Sequence, residues 1–480
     1  MLSALREAKE TLKPTETVER TLLPQQLKPA DTEWVKTADG WREVAVTQDA
    51  GDATPTTLQV AVHEAHGQCF GFQSERNAWA LPRRTFATQN AARPGYDTVD
   101  ASEYVDEDTV LEAKLQQLAR LMALSKCTVV YAGAGLSTAA GIDDYATHNK
   151  SAAADADKLR SPMCAQPTLS HRVLVGLYRT GRLHRVVQQN HDGLPQKAGL
   201  PQEGLNEIHG SLYAPDNPVI PMSGCLRTDL MLDLLECEQH ADLVVAVGTS
   251  LAGMNADRLV HSASARASKG QSLGSVVIGL QRTTADAEQT LRIFAHSDRV
   301  FGRLAELLDG TAAHVPPARP KGEYFKPAVF DVVTPLHELS EGTGAECAGD
   351  ADADPAVDPR YVLPRVGYDA MGRRDRDASR PTPTTLDLRI GATVAIPSGM
   401  HAGARGEVVG VDREGHVRCR MQLRLKPAKP FKAPMMMAVG LWWLQAAADA
   451  CVQQLPVANL PSDGDTSAAA EELRTLVAAY

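Results

Sequence analysis

Four nearly continuous apolar runs mark the middle of the chain. They are Thr128 to Tyr131, LHRVVQQN at 183–190, ADLVVAVG at 241–248 and GSVVIGL at 274–280. Runs of this length without polar alternation predict strands buried on both faces. Between them the pattern predicts helices over 168–180, 254–268 and 286–308. Another helix precedes the first strand, with Leu111, Leu115, Leu118 and Met122 on its apolar face and Asp108 as its cap. Strands alternating with helices predict an α/β fold whose parallel sheet is covered on both faces. Ligands of such sheets bind beyond the carboxyl ends of the strands. Gly133, Asn190 and Thr249, which follow three of the runs, therefore face one crevice.

The flanks read differently. Residues 1–30 are polar and expected to be disordered. Short apolar runs (WREVAV at 41–46, LQVAVH at 58–63 and CFGF) predict a small β-rich module over 31–95. The alternating α/β region spans 108–310. Residues 311–385 are rich in Pro, Asp, Gly and Arg, include AGDADADPAVDP, and read as a partly disordered linker. From 386 to 480, short alternating strands with glycine turns are similar to a KOW or SH3-like small barrel, followed by a helix over 466–480. Met435, Met436, Met437, Trp442 and Trp443 read most simply as core.

Composition narrows the function classes. A formal charge of -10 on 480 residues weighs against a nucleic-acid binder driven by bulk charge, though a local basic patch would survive it. MLSALREAKETLKPTE has no apolar core of a secretory signal. The longest apolar run, Met435 to Leu444, is too short to span a bilayer. A soluble intracellular protein, nuclear or cytoplasmic, is expected, with no membrane partner. The eight cysteines form no Cys-x-x-Cys pair and read as reduced thiols.

The stretch VVYAGAGLSTAAGIDDYA at 129–146 runs from strand into a Gly-Ala-Gly turn, a shape that lets backbone approach a pyrophosphate. It is followed by QNHDGLPQKAG at 189–199, IHG at 208–210, GTSL at 248–251 and GLQRTTADAEQTLRI at 279–293. Together these resemble the sirtuin family of NAD-dependent protein deacylases, over about 120–308. The strings Ser-Thr-Ala-Ala, Leu-Gln-x-Thr and Leu-Arg-Ile look most like its nuclear class IV branch.

The resemblance implies a Rossmann-like large domain, NAD as cofactor and an acyl-lysine protein as substrate. It implies that Ala132, Gly133, Ala134, Gly135 and Ser137 cradle the pyrophosphate, with Asp144 and Tyr145 in the same cofactor loop. Ile142, Asn190 and Asp192 would line the nicotinamide pocket. Gln189 would touch the nearby ribose, Gly248, Thr249 and Ser250 the rest of the dinucleotide, and Gln281 its adenosine end. His209 would be the general base, a role suited to an imidazole.

Four departures qualify this. The family's arginine is Ala146 here, behind Asp143 in place of proline. A histidine of the Asp-x-Leu-His motif is Pro195. An asparagine at the end of the late strand is Gly279. Active relatives also carry a zinc module of two Cys pairs, whereas 211–247 holds only Cys225 and Cys237. Structural zinc takes four ligands, so no structural zinc is expected. Three readings stay open: a slow or unusual deacylase, a non-catalytic NAD or ADP-ribose binder, and a scaffold whose flanking β modules contact chromatin, RNA or protein.

Overall fold

In the computed structural model the four predicted strands lie in one six-stranded parallel sheet. The structure describes residues 32–37, 40–45, 62–93, 95, 99–142, 165–220, 224–318, 334–335, 360–363, 367–375, 384–411, 416–426, 429–430, 434–448 and 452–480. The strands of this sheet are β1 (Thr128–Ala132), β2 (Arg185–Gln188), β3 (Leu205–Glu207), β4 (Leu243–Val247), β5 (Gly274–Ile278) and β6 (Leu291–Ile293). Their order is β6-β5-β4-β1-β2-β3, and every neighbouring pair is parallel. The winding direction reverses between β1 and β4, the position where doubly wound sheets bind ligands.

The helices are α1 (Asp108–Leu124), α2 (Leu169–Arg179), α3 (Leu194–Ala198), α4 (Thr228–His240), α5 (Arg258–Ala267) and α6 (Ser297–Leu307). Alternation along the strands divides the core. Val130, Ala132, Val245, Val247 and Ile278 pack with α1, α2 and α6. Val129, Tyr131, Val244, Ala246 and Val277 pack with α4 and α5. On α1, Leu111, Leu115, Leu118 and Met122 are all buried, and each stabilises the fold by about 1.5–3 kcal/mol relative to exposure.

Several expectations are corrected. The 286–308 stretch is not one helix: Leu291–Ile293 is the edge strand β6, and α6 begins only at Ser297. Leu291 and Ile293 are fully buried beside β5, so sheet burial overrides the helical spacing. Asp108 does not cap α1. Glu107 occupies that position, and Asp108 pairs with Arg299 at 2.8 Å.

The 31–95 region begins with an antiparallel pair, Thr32–Thr37 with Gly40–Ala45. Its second half is mixed: a helix and a turn precede the strand Arg83–Phe86, which pairs with Glu103–Val105. Residues 62–66 are helical and Cys69–Phe72 form a turn. Cys69, Phe72 and Trp79 sit in the same core as α1, so this segment belongs with the central sheet. Gln68 and Cys69 N–H groups donate to the Gln289 and Thr290 carbonyls, at 2.7 and 2.8 Å. Tyr104 and Asp106 donate to Leu280 and Phe294, each at 2.8 Å. Inside the stretch expected as linker, Thr334–Pro335 and Arg360–Leu363 join Thr384–Asp387 in a small antiparallel sheet.

The C-terminal region holds β7 (Thr393–Ala395), β8 (Arg405–Val411), β9 (Val417–Met421), β10 (Met435–Val439) and β11 (Ala458–Asn459), in the antiparallel order β10-β9-β8-β7-β11. Helices α7 (Leu441–Ala448) and α8 (Ala468–Ala479) follow, the latter capped by Ser467. Met437, Trp442 and Trp443 are core as expected, but Met436 is 44% exposed because it stands on the outer face of the edge strand β10. Among the described residues, no helix is long and apolar enough to cross a membrane.

One buried ion pair ties the N-terminal segment to α1. Lys114 Nζ lies 2.7 Å from Asp106 Oδ1, both side chains fully buried. Asp106 Oδ2 accepts the Phe294 N–H at 2.8 Å. Lys114→Ala would leave this carboxylate buried without its cation, at a cost of about 3–5 kcal/mol. Urea denaturation followed by circular dichroism checks this, and a loss below about 1 kcal/mol would contradict it.

Candidate active site at the reversal of the sheet

The site is built on two loops that touch through their backbones. After β1, Gly133 N–H donates to Val247 O and Gly135 N–H to Gly248 O, both at 2.9 Å. Gly248 has φ of +59°, and a Cβ there would lie 2.5 Å from Gly135 C. A Cβ on Gly133 would lie 2.6 Å from Gly248 O. These glycines are therefore needed for the approach of one protein segment to the other, besides any approach to a ligand.

The loop after β2 joins this pair. Gln189 N–H donates to Ala132 O at 3.0 Å. Asn190 Nδ2 donates to Gly133 O at 2.9 Å and to Ser137 Oγ at 3.2 Å. Ser137 Oγ donates to Asp192 Oδ2 at 2.6 Å, and Asp192 Oδ1 accepts the Leu194 N–H at 2.9 Å. Gln189 Nε2 donates to Thr249 Oγ1 at 3.0 Å. Ala132, Gly133, Gly135, Ser137, Gln189, Asn190, Asp192, Gly248 and Thr249 thus come together as one network. Ala134 opens the short 3-10 turn Ala134–Leu136 between them. Ser250 and Ile142 are half-buried nearby in sequence. Asp144 and Tyr145 lie outside the described residues, as do Asp143 and Ala146.

At the far end of β5, Gln281 bridges to Glu103, and its carbonyl accepts from Arg292. Gly279 faces the crevice openly: the nearest atom to a Cβ built there is Gly248 N, at 3.9 Å. Pro195 is buried at the start of α3, where a missing N–H is harmless.

His209 follows β3 and is half-buried, its ring facing the Gln189 backbone carbonyl. Burial, with His191 and Arg93 adding repulsion, lowers its pKa to about 4. The imidazole is therefore neutral across the physiological range, the state a general base requires. Glu207, two residues earlier, is fully buried, and burial raises its carboxyl pKa to about 7, with Asp192 contributing.

Sequence reasoning missed Glu207 and Arg93. The available signal for Glu207 was a carboxylate two residues ahead of His209 in LNEIHG. Arg93 stands in the 83–105 hairpin, which sequence assigned elsewhere, and nothing in its local pattern links it to His209. Cys237 is buried on α4 and Cys225 is exposed ahead of it. Among the described residues, no group of three or more His, Cys, Asp or Glu is placed to hold a metal.

The sheet order and the glycine contact at its reversal define a dinucleotide-binding class of fold. No protein-family model matches the chain. It is 29% identical over 253 residues to the NAD-dependent protein deacetylase SRT1 of Arabidopsis thaliana, covering 44% of this chain and 52% of that protein. It is 37% identical over 118 residues to the NAD-dependent protein deacetylase sirtuin-7 of Homo sapiens, covering 23% of this chain and 29% of that protein. A solved structure described as the structural basis for the mechanism and regulation of Sir2 enzymes is 21% identical, with a TM-score of 0.35, covering 41% of this chain and 98% of that one. The chain spans about half the length, or less, of the curated relatives named. Over the matched stretches the chain is similar to these NAD-dependent protein deacetylases.

Glu207 generates a stability prediction. Its folded pKa, about 7, stands above the ordinary carboxylate value of 4.5. The native state then holds the proton more tightly, so stability is lost as pH rises from about 4.5 to about 7. The loss is on the order of 3 kcal/mol. Glu207→Gln is expected to flatten that decline, and melting temperatures of both proteins at pH 5 and pH 8 measure it. Parallel pH profiles would contradict it.

Proposed function

We propose that the central domain binds NAD and is an NAD-dependent protein deacylase acting on acyl-lysine. The observation that carries this is the network of Asn190, Ser137 and Asp192 on Gly133, with neutral His209 facing the adjacent Gln189 carbonyl. The open side of Gly279 and the half-buried amides and hydroxyls of Gln189, Asn190, Thr249 and Ser250 fit a dinucleotide. When bound, NAD supplies a ribose that exchanges nicotinamide for the acyl oxygen of the substrate.

The chain's own residues then have distinct tasks. The Gly133–Gly135 turn and Gly248–Ser250 hold the phosphates and the remaining dinucleotide. Asn190 is oriented by Gly133 O and Ser137, so its amide is fixed before ligand arrives. Asp192 is held by Ser137 and the Leu194 N–H, which keeps its carboxyl oxygens in a defined place. His209 takes a proton from a ribose hydroxyl. A non-catalytic NAD or ADP-ribose binder is the second reading. Gly279, which leaves a side chain's worth of space beside Gly248, favours it.

The test is nicotinamide release from NAD with a panel of acyl-lysine peptides. Peptide-dependent release is expected, and His209→Ala should reduce it by about 10²–10⁴-fold. No release from folded protein that still binds NAD would leave the binder reading standing.

The pKa of His209 adds a pH signature. With a value near 4, kcat/KM should change less than about twofold between pH 7.5 and 6. An imidazole at 6.5 would lose about fourfold over that interval. A fourfold loss would remove His209, in its observed environment, from the role of base.

A further inference from the structure

The interval after His209 is the stretch in which the resembling family carries its paired-cysteine module. In this chain it is bound to the C-terminal sheet instead. Leu212 N–H donates to His191 O at 3.0 Å. Ala438 N–H donates to Leu212 O at 2.9 Å, and Gly440 N–H to Tyr213 O at 3.1 Å. A line of backbone hydrogen bonds therefore runs from the loop of Asn190 and Asp192, through Leu212, to strand β10.

Side chains close the same contact. Tyr213 is fully buried and packs in the core of the C-terminal sheet, not in either core of the central one. Its ring lies 5.0 Å from Trp442 and 4.9 Å from His416, and those two rings are 5.2 Å apart, all edge to face. Such aromatic pairs add to stability beyond their buried area. Gly193, at φ +66°, carries no side chain. A Cβ there would lie 2.9 Å from Trp442 and 2.8 Å from Tyr213. Trp442 thus rests on the residue next to Asp192. On the other flank, Asn217 donates to the Glu207 carbonyl at 3.0 Å, and Ile220 N–H to the His209 carbonyl at 3.0 Å.

We propose that Trp442 is a positioning residue of the active site, and that α7 and β10 fix the spacing between the Asn190–Gly193 loop and the His209–Tyr213 loop. Its catalytic meaning rests on the function proposed above; its structural meaning does not. Trp442 touches no reacting atom and acts through Gly193 and Tyr213.

The test is hydrogen exchange on the full chain without any ligand. Trp442→Ala should speed exchange of the Leu194 and Leu212 amides by about tenfold or more, while Val130 and Val245 in the central sheet keep their protection. Trp442→Phe, which retains a ring, should restore most of it. If Trp442→Ala also loosens Val408 and Cys419, the C-terminal sheet itself has opened. Gly193→Ala then replaces it, because it disturbs the contact from the opposite side. Unchanged exchange at Leu194 and Leu212 in Gly193→Ala, or in Trp442→Ala with its sheet intact, overturns the proposal. Kinetics form a second arm: kcat for nicotinamide release should fall while KM for NAD moves little. A protein that releases no nicotinamide in any variant refutes the deacylase reading alone, since the exchange result stands apart from it.

Discussion

Backbone against backbone, the Gly133–Gly135 turn lies on Gly248 where the sheet reverses its winding. The loop network after β1, β2 and β4 is referred to that contact. Asn190 is fixed by the Gly133 carbonyl, and Gln189 by Thr249 beside Gly248. Ser137 closes the turn and holds Asp192. A methyl group at either loop would push the two strand ends apart and carry the network with them. The glycines thus serve the protein's own packing as much as any ligand, and a substitution there confounds the two effects.

Electrostatics around this contact run opposite to solution chemistry. Half-buried His209, with the Arg93 guanidinium in range, loses proton affinity, while fully buried Glu207, near Asp192, gains it. Desolvation leads in both cases. Near neutrality the His209 imidazole is uncharged, and the Glu207 carboxyl sits close to its midpoint. Two ionisable groups two residues apart are thereby separated in role by environment alone.

Much of this was legible in the sequence. The runs at 128, 183, 241 and 274 became β1, β2, β4 and β5 because continuous Val, Leu and Ile can be satisfied only between two layers of helices. The residues of the loop network, Ser137, Gln189, Asn190, Asp192 and Thr249, were named from short strings, since loops at strand ends keep their contacts local. β3 and β6 were not readable. Each is three residues long, and its pairing comes from a neighbouring strand rather than from its own pattern. The helix and turn at 62–72 were not readable for the same reason: Gln68 and Cys69 are held by the sheet edge at Gln289 and Thr290. Trp442 read correctly as core, but no local pattern shows that its ring reaches Gly193.

The edge contact has a consequence for biogenesis. Asp106 and Phe294 are separated by 188 positions. On a ribosome the earlier partner emerges first, and at about 5–20 residues per second the later one follows on the order of ten to forty seconds afterwards. Throughout that interval Cys69, Phe72 and Trp79 lack the strand edge beside which they pack. The nascent chain is therefore a natural client for chaperones in its first third, and a stalled or truncated translation product ending before β6 would be left with that apolar surface uncovered.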